Sequence, residues 1–394
     1  MELPSSDPGH ALRIEEFDTS KVLAHARRQA DERKFDDFTI VDVDSHHDEA
    51  SNFGDLLKLM DDEPMRQFAR TNAGGRGRSP IPHNLDYEDA AGRLPRFATA
   101  KLERTPDNVL PDVAIANRRM DAMGVDYSCL LPTGVLRLAI QPRQDVEVNI
   151  AQAYNRWLVE VLLPQAPRLR GMLYMPLCDA KACYDTILKY GDKPGIVGAL
   201  IVSSRTATLH RNAYMNILRA LEERSLLLTF HSGVNWYDRT LGLSNRYLAV
   251  KTVSGPYFNS VHMTNWIVNG LSERFPKLKL LWMESGIAWI PALMARLDAE
   301  YMMRSYDAPM LKRRPSDYMR DMYYCSQPLE RPDDMILLEA MFRAIKAESQ
   351  LVWGSNFPSS DFDLPSTIYD LPFLNEQAKR NILGGNAAKL LRLE

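Results

Sequence analysis

From about residue 113 to the C-terminus the chain repeats one pattern: a helix-length segment, then a short aliphatic and β-branched run halted by Pro, Gly or a polar residue. Val113–Met123 precedes Val125–Leu131, Val146–Leu163 precedes Gly171–Pro176, Ala180–Tyr190 precedes Val197–Val202, and Ala213–Arg224 precedes Leu226–His231. Val261–Glu273 leads to Lys279–Glu284, while Asp321–Ser326 and Gln350–Gly354 supply two further strands. With an opening strand that ends at Asp44, this makes about eight strand-then-helix units, the number in a (β/α)8 TIM barrel. A doubly wound open sheet shares the periodicity. The barrel is favoured because ligand-type residues recur at strand carboxyl ends along the whole chain, and only a closed ring brings them to one centre.

The remaining segments are expected to decorate that barrel, which takes up residues 38–394. Residues 1–37 are polar, with Pro4, Pro8 and a charge-dominated helical stretch at Lys21–Lys34, and read as an arm outside the core. Residues 50–112 carry Gly74-Gly75-Arg76-Gly77 and Pro80, Pro82, Pro95, Pro106 and Pro111, and read as a long irregular insertion after the first strand, placed to act as a lid. The formal net charge of -3 and the lack of a basic, aromatic-interleaved cluster exclude nucleic acid as a partner. No apolar run reaches the roughly eighteen residues of a membrane span. Four scattered cysteines and the lack of an apolar leader point to a cytoplasmic protein with reduced thiols.

Candidate chemistry begins in Asp42-Val43-Asp44-Ser45-His46-His47-Asp48-Glu49, where a buried strand runs into carboxylates and imidazoles. Alternation puts Asp44 and His46 on one face, and Glu49 can rejoin His46 if the chain turns. A solvated acidic loop is the competing explanation. His231 closes its strand and should point into the barrel mouth. His262 opens a helix, where capping and metal roles compete. Glu284 ends a strongly apolar strand, so its charge needs a metal or an ion pair. Asn356 stands at the end of the last strand, where it can orient substrate but cannot take a proton. Trp236, Tyr257 and Arg137 are candidate substrate contacts, Arg137 as a fork for a carboxylate.

These residues resemble the second family of amidohydrolase-type proteins, metal-dependent TIM barrels that include decarboxylases and hydrolases of small acids. The likeness rests on Asp42-Val43-Asp44-Ser45-His46, Arg274-Phe275-Pro276-Lys277-Leu278-Lys279, Glu284-Ser285-Gly286-Ile287-Ala288-Trp289-Ile290-Pro291, Arg296-Leu297-Asp298 and Trp353-Gly354-Ser355-Asn356-Phe357-Pro358. It implies metal ligands after the first, fifth, sixth and eighth strands, here Asp44, His46, His231, Glu284 and the Asn356 position. It also implies an Asp acting as ligand and general acid or base where this chain has Asn356.

The extra Glu49 resembles the branch whose dinuclear Fe or Mn/Fe sites activate O2, the 2-aminoisobutyrate hydroxylase type. The leading expectation is therefore an O2-dependent hydroxylase of a small polar or amino acid. It would use two Fe or Mn ions on Asp44, His46, Glu49, His231, His262 and Glu284, an electron donor, and Asn356, Glu284 and Asp44 near the reacting atoms. The alternative is a single-metal hydrolase or decarboxylase of a small carboxylic acid, with zinc as its cation and Asp44 or Asp361 replacing the missing base. A third reading is a non-catalytic partner subunit, and the arm and insertion suit a homo- or hetero-oligomer.

Overall fold

Eight parallel strands hydrogen-bond in sequence order: β1 (Val41–His47), β2 (Tyr127–Pro132), β3 (Leu169–Tyr174), β4 (Ile196–Val202), β5 (Leu227–His231), β6 (Leu280–Met283), β7 (Tyr323–Cys325) and β8 (Leu351–Val352). This computed structural model describes residues 19–47, 49, 53–73, 105–106, 108–205, 207–235, 237–359 and 362–393. The ring closes where the Val43 amide donates to the Trp353 carbonyl (3.1 Å) and the His46 amide to the Phe357 carbonyl (2.7 Å). The fold is thus a (β/α)8 barrel, and the open-sheet alternative falls.

The helices are α1 (Thr19–Arg33), α2 (Phe53–Lys58), α3 (Glu63–Ala73), α4 (Pro111–Met123), α5 (Gln144–Trp157), α6 (Ala180–Tyr190), α7 (Met215–Glu223) and α8 (Tyr247–Val268), followed by shorter ones and Trp289–Arg304. Val41, Leu131, Met172, Leu200, Leu227, Leu281, Cys325 and Val352, one from each strand, join a buried cluster separate from the larger one shared with the helices. Two apolar layers, one on each strand face, explain why the strands read as unbroken hydrophobic runs. Each fully buried aliphatic side chain contributes about 1.5–3 kcal/mol.

Three segments depart from the sequence reading. The arm is partly core: Leu23, Ala26 and Ala30 on α1 and the following Phe35 are buried, and Arg33 forks onto Asp370 with bonds of 2.8 and 2.7 Å. A thin apolar stripe among many charges hid this. The insertion opens with α2 and α3, the latter capped by Asp62, which accepts the Met65 amide (2.8 Å); most of its Gly- and Pro-rich remainder lies outside the described residues. Helix α8 starts at Tyr247, far ahead of the expected Val261, and carries Pro256 within it. Ser254-Gly255-Pro256 disguised it, since a proline in a helix interior ordinarily breaks it. No helix among the described residues is long and apolar enough to cross a membrane.

Candidate metal centre

Asp44, His46 and His231 meet at the mouth of the barrel, with one ligand atom from each inside 4.8 Å of the others. The Asp44 Oδ1 lies 3.1 Å from the His46 Nε2 and 3.6 Å from the His231 Nε2. His46 places its Nδ1 3.2 Å from the Pro132 carbonyl, and His231 its Nδ1 2.8 Å from the Ser232 carbonyl. A carbonyl only accepts, so each Nδ1 donates to its carbonyl, and each Nε2 faces the Asp44 carboxylate, where a cation would displace the proton between them. The His231 Nε2 is buried with no hydrogen-bond partner. Donors bound at about 2.0–2.2 Å to one cation stand roughly 3–3.6 Å apart, so the residues present fit a metal ion. Burial alone would lower the His231 pKa, but the Asp44 and Glu284 carboxylates outweigh it and push it up to about 9. Burial would likewise raise Asp44, yet the two imidazoles hold it well below the usual carboxylate range.

A buried network aims this cluster. The pairing of β1 with β2 shifts register between Asp42 and Ser45, so two aspartates that strict alternation puts on one face reach different partners. Asp42 takes the Arg119 guanidinium (2.7 Å), the Ser355 hydroxyl (2.6 Å) and the Ser355 amide (2.9 Å), and also accepts the Asp44 amide (3.0 Å). Arg119, fully buried on α4, adds the Ser128 hydroxyl (2.7 Å), which meets Ser45 (2.7 Å). One arginine thereby ties β1, β2 and the segment after β8 together directly beneath the ligands. Sequence reasoning missed it. The available signal was an arginine at helical spacing with the buried Ala116, Met120 and Met123.

The other expected ligands go elsewhere. Both carboxylate oxygens of buried Glu49 accept backbone amides, Oε2 from Thr133 (2.9 Å) and Oε1 from Val135, and burial raises its pKa. His262 points its Nε2 at the carbonyls of Ser203 (3.0 Å) and Arg205 (3.1 Å), which makes that nitrogen a proton donor and no ligand. Glu284 accepts Lys251 on Oε1 (2.7 Å) and the Ser232 hydroxyl on Oε2 (3.0 Å), standing 3.4 Å from the His231 Nδ1. Burial would raise its pKa, but Lys251 and His231 lower it further than that.

Asn356 is buried at the mouth with φ of 55° and donates its amide to the Asp44 carbonyl (2.6 Å). Arg137 is half-buried just after β2. Tyr257 lies with Val253, Pro256 and Val261 along a surface groove of α8, on the side opposite Gly255, Asn259 and His262. Trp236 and Asp361 fall outside the described residues. Asp298, from a signature motif, receives the Ser316 amide (2.9 Å) and hydroxyl (2.7 Å), a packing role away from the mouth.

The amidohydrolase family profile matches residues 111–393, well over half of the chain. This chain belongs to the amidohydrolase family. Among curated proteins it is similar to the gamma-resorcylate decarboxylase of Rhodococcus jostii (strain RHA1), 23% identical over 333 residues that cover 80% of this chain and 96% of the relative. Its fold is shared with an amidohydrolase from Mycobacterium avium subsp. paratuberculosis K-10 (TM-score 0.67, 18% identity, covering 90% of this chain and 99% of the other). It is also shared with the 5-carboxyvanillate decarboxylase of Sphingomonas paucimobilis (TM-score 0.62, 19% identity, 90% and 99% covered). A third such structure is the dihydroxybenzoic acid decarboxylase of Polaromonas sp. JS666, which holds manganese and the inhibitor 2-nitroresorcinol (TM-score 0.60, 17% identity, 90% and 97% covered).

These findings overturn the expectation of an O2-dependent hydroxylase in this amidohydrolase: the relatives whose activity is named are decarboxylases. The geometry gives a physical reason. Glu49 spends both carboxylate oxygens and His262 its Nε2 on backbone groups, Glu284 is paired with Lys251 and Ser232, and the candidate donors that meet among the described residues are Asp44, His46 and His231.

Proposed function

We propose that this amidohydrolase decarboxylates a small carboxylic acid of the phenolic class, using one divalent cation held by Asp44, His46 and His231. The observation that carries the reading is the convergence of those three buried donors, in a chain whose relatives include decarboxylases of gamma-resorcylate, 5-carboxyvanillate and dihydroxybenzoic acid. One carboxylate with two imidazoles suits manganese, the metal bound in the Polaromonas relative, and zinc is its competitor. Such a cation supplies Lewis-acid polarisation of a substrate oxygen.

In the reaction, the bond between the substrate carbon and its carboxyl group breaks, the electron pair stays on that carbon, CO2 departs, and the carbon takes a proton that comes in from solvent water. Asp44 is held ionised between two imidazoles and does not supply that proton. Asn356 has none to give, though its amide can hold a substrate oxygen. Its backbone bond to Asp44 ties the last strand to the metal-binding one, so substrate held at position 356 is fixed relative to the cation.

The test is CO2 release by Mn2+-loaded and Zn2+-loaded protein across mono- and dihydroxybenzoates and vanillate-type acids. At least one acid should lose CO2 without O2 uptake, and Asn356→Asp should speed turnover about tenfold or more by adding a proton-transfer group. No CO2 from any acid with either metal overturns the reading.

A further inference from the structure

Behind His231, on the side away from Asp44, stands an ion pair that has no counterpart around His46 among the described residues. Glu284 places Oε2 3.4 Å from the His231 Nδ1 and accepts the Ser232 hydroxyl there (3.0 Å), while its Oε1 accepts the Lys251 ammonium (2.7 Å). Glu284 is held in the left-handed region, φ 51°, which a residue with a side chain rarely adopts. Helix α8 holds it there. Asn259 donates to the Ser285 hydroxyl (2.9 Å), and a Cβ at Gly255 would stand 3.0 Å from the Glu284 carbonyl and 3.2 Å from the Ser285 Cα. Ser254 fastens the same helix to the Gly233 carbonyl (2.6 Å), two residues past His231. The helix that carries Lys251 therefore fixes both the strand end bearing Glu284 and the strand end bearing His231.

We propose that Glu284 and Lys251 act as one positioning pair for the metal ligand His231. Glu284 sets the orientation and electron density of the ring, and Lys251 holds Glu284 behind the ring as an acceptor. This inference rests on the reading that Asp44, His46 and His231 hold a divalent cation. A carboxylate beside the far nitrogen of a ligating imidazole fixes its tautomer and strengthens it as a donor, and losing such a partner typically weakens metal binding 10- to 100-fold. Lys251 matters because an unpaired Glu284 could turn toward the cation or toward water.

The test is titration of the metal-free chain with Co2+, read by its visible absorption, alongside thermal denaturation of the metal-free protein. Glu284→Gln should weaken Co2+ binding about 10- to 100-fold and shift the absorption band, with the metal-free denaturation midpoint close to that of the parent. Lys251→Met should weaken binding in the same direction. The double variant should be no weaker than Glu284→Gln alone, because the two residues act as a unit. If the parent chain binds no Co2+, the metal reading itself fails. If it binds, and Glu284→Gln shows the parent's affinity and spectrum, or the two single effects simply add, the positioning pair is refuted.

Discussion

Asp44 and Glu49 are both fully buried carboxylates, five positions apart on one strand and its loop, yet they do opposite things. Asp44 faces the Nε2 atoms of two imidazoles, and the rings hold it ionised. Glu49 faces two amide protons, and burial raises its pKa. Residue type and burial therefore do not make a ligand; what matters is whether the surrounding groups can give up their protons to a cation, as imidazoles can and backbone amides cannot. Asp44 sits among imidazole nitrogens whose protons a cation can displace, since the other nitrogen of each ring already faces a carbonyl. Glu49 sits among donors just past the end of β2, where it holds the Thr133 and Val135 amides, the former shared with the His47 carbonyl.

The largest effect that would break this contrast comes from His231. His231→Ala should reduce Mn2+ affinity by more than about 100-fold, beyond the loss expected from an outer partner, as read by isothermal titration. Affinity at parent level would mean that the metal centre lies elsewhere.

Next in size is the response to pH. His231 has its folded pKa raised from about 6.5 to about 9, so in the metal-free chain its stabilising pairing is complete below about pH 6.5 and is lost as pH rises through about 9. A cation must displace that proton, so Mn2+ affinity should climb about tenfold per pH unit between those limits. A flat affinity profile between pH 6.5 and 9 would place no titrating imidazole in the site.

Glu49→Gln should act on stability and leave metal content unchanged. A glutamine keeps one acceptor but sets its NH2 against the second amide, costing about 1–3 kcal/mol in chemical denaturation. Metal loss in this variant would restore Glu49 as a ligand and erase the contrast with Asp44.

The architecture was legible because it depends on local chemistry repeated many times. The segment reading Ala180–Tyr190 agrees with α6, and the runs ending at Val202 and His231 agree with β4 and β5, because side-chain periodicity and strand stops are properties of neighbouring residues. Period-two alternation was enough to pair Asp44 with His46, and the strand end was enough to single out His231. The failures share one cause. His262 and Glu49 look like ligands in sequence, and Arg119 looks like a surface helix residue, until partners far along the chain are known.

The sequence by itself determined the barrel and the strand-end placement of Asp44, His46 and His231, since each follows from the residue pattern within one element. Only the tertiary structure decided that Asp42 turns to Arg119 while Asp44 turns to the histidines, that Glu284 is committed to Lys251, and that His262 serves two strand-end carbonyls. The reason is directional. Burial and charge can be read from a pattern, but a hydrogen bond or a metal bond needs a partner at the correct angle, and that partner is supplied by whichever distant segment the closed ring brings alongside.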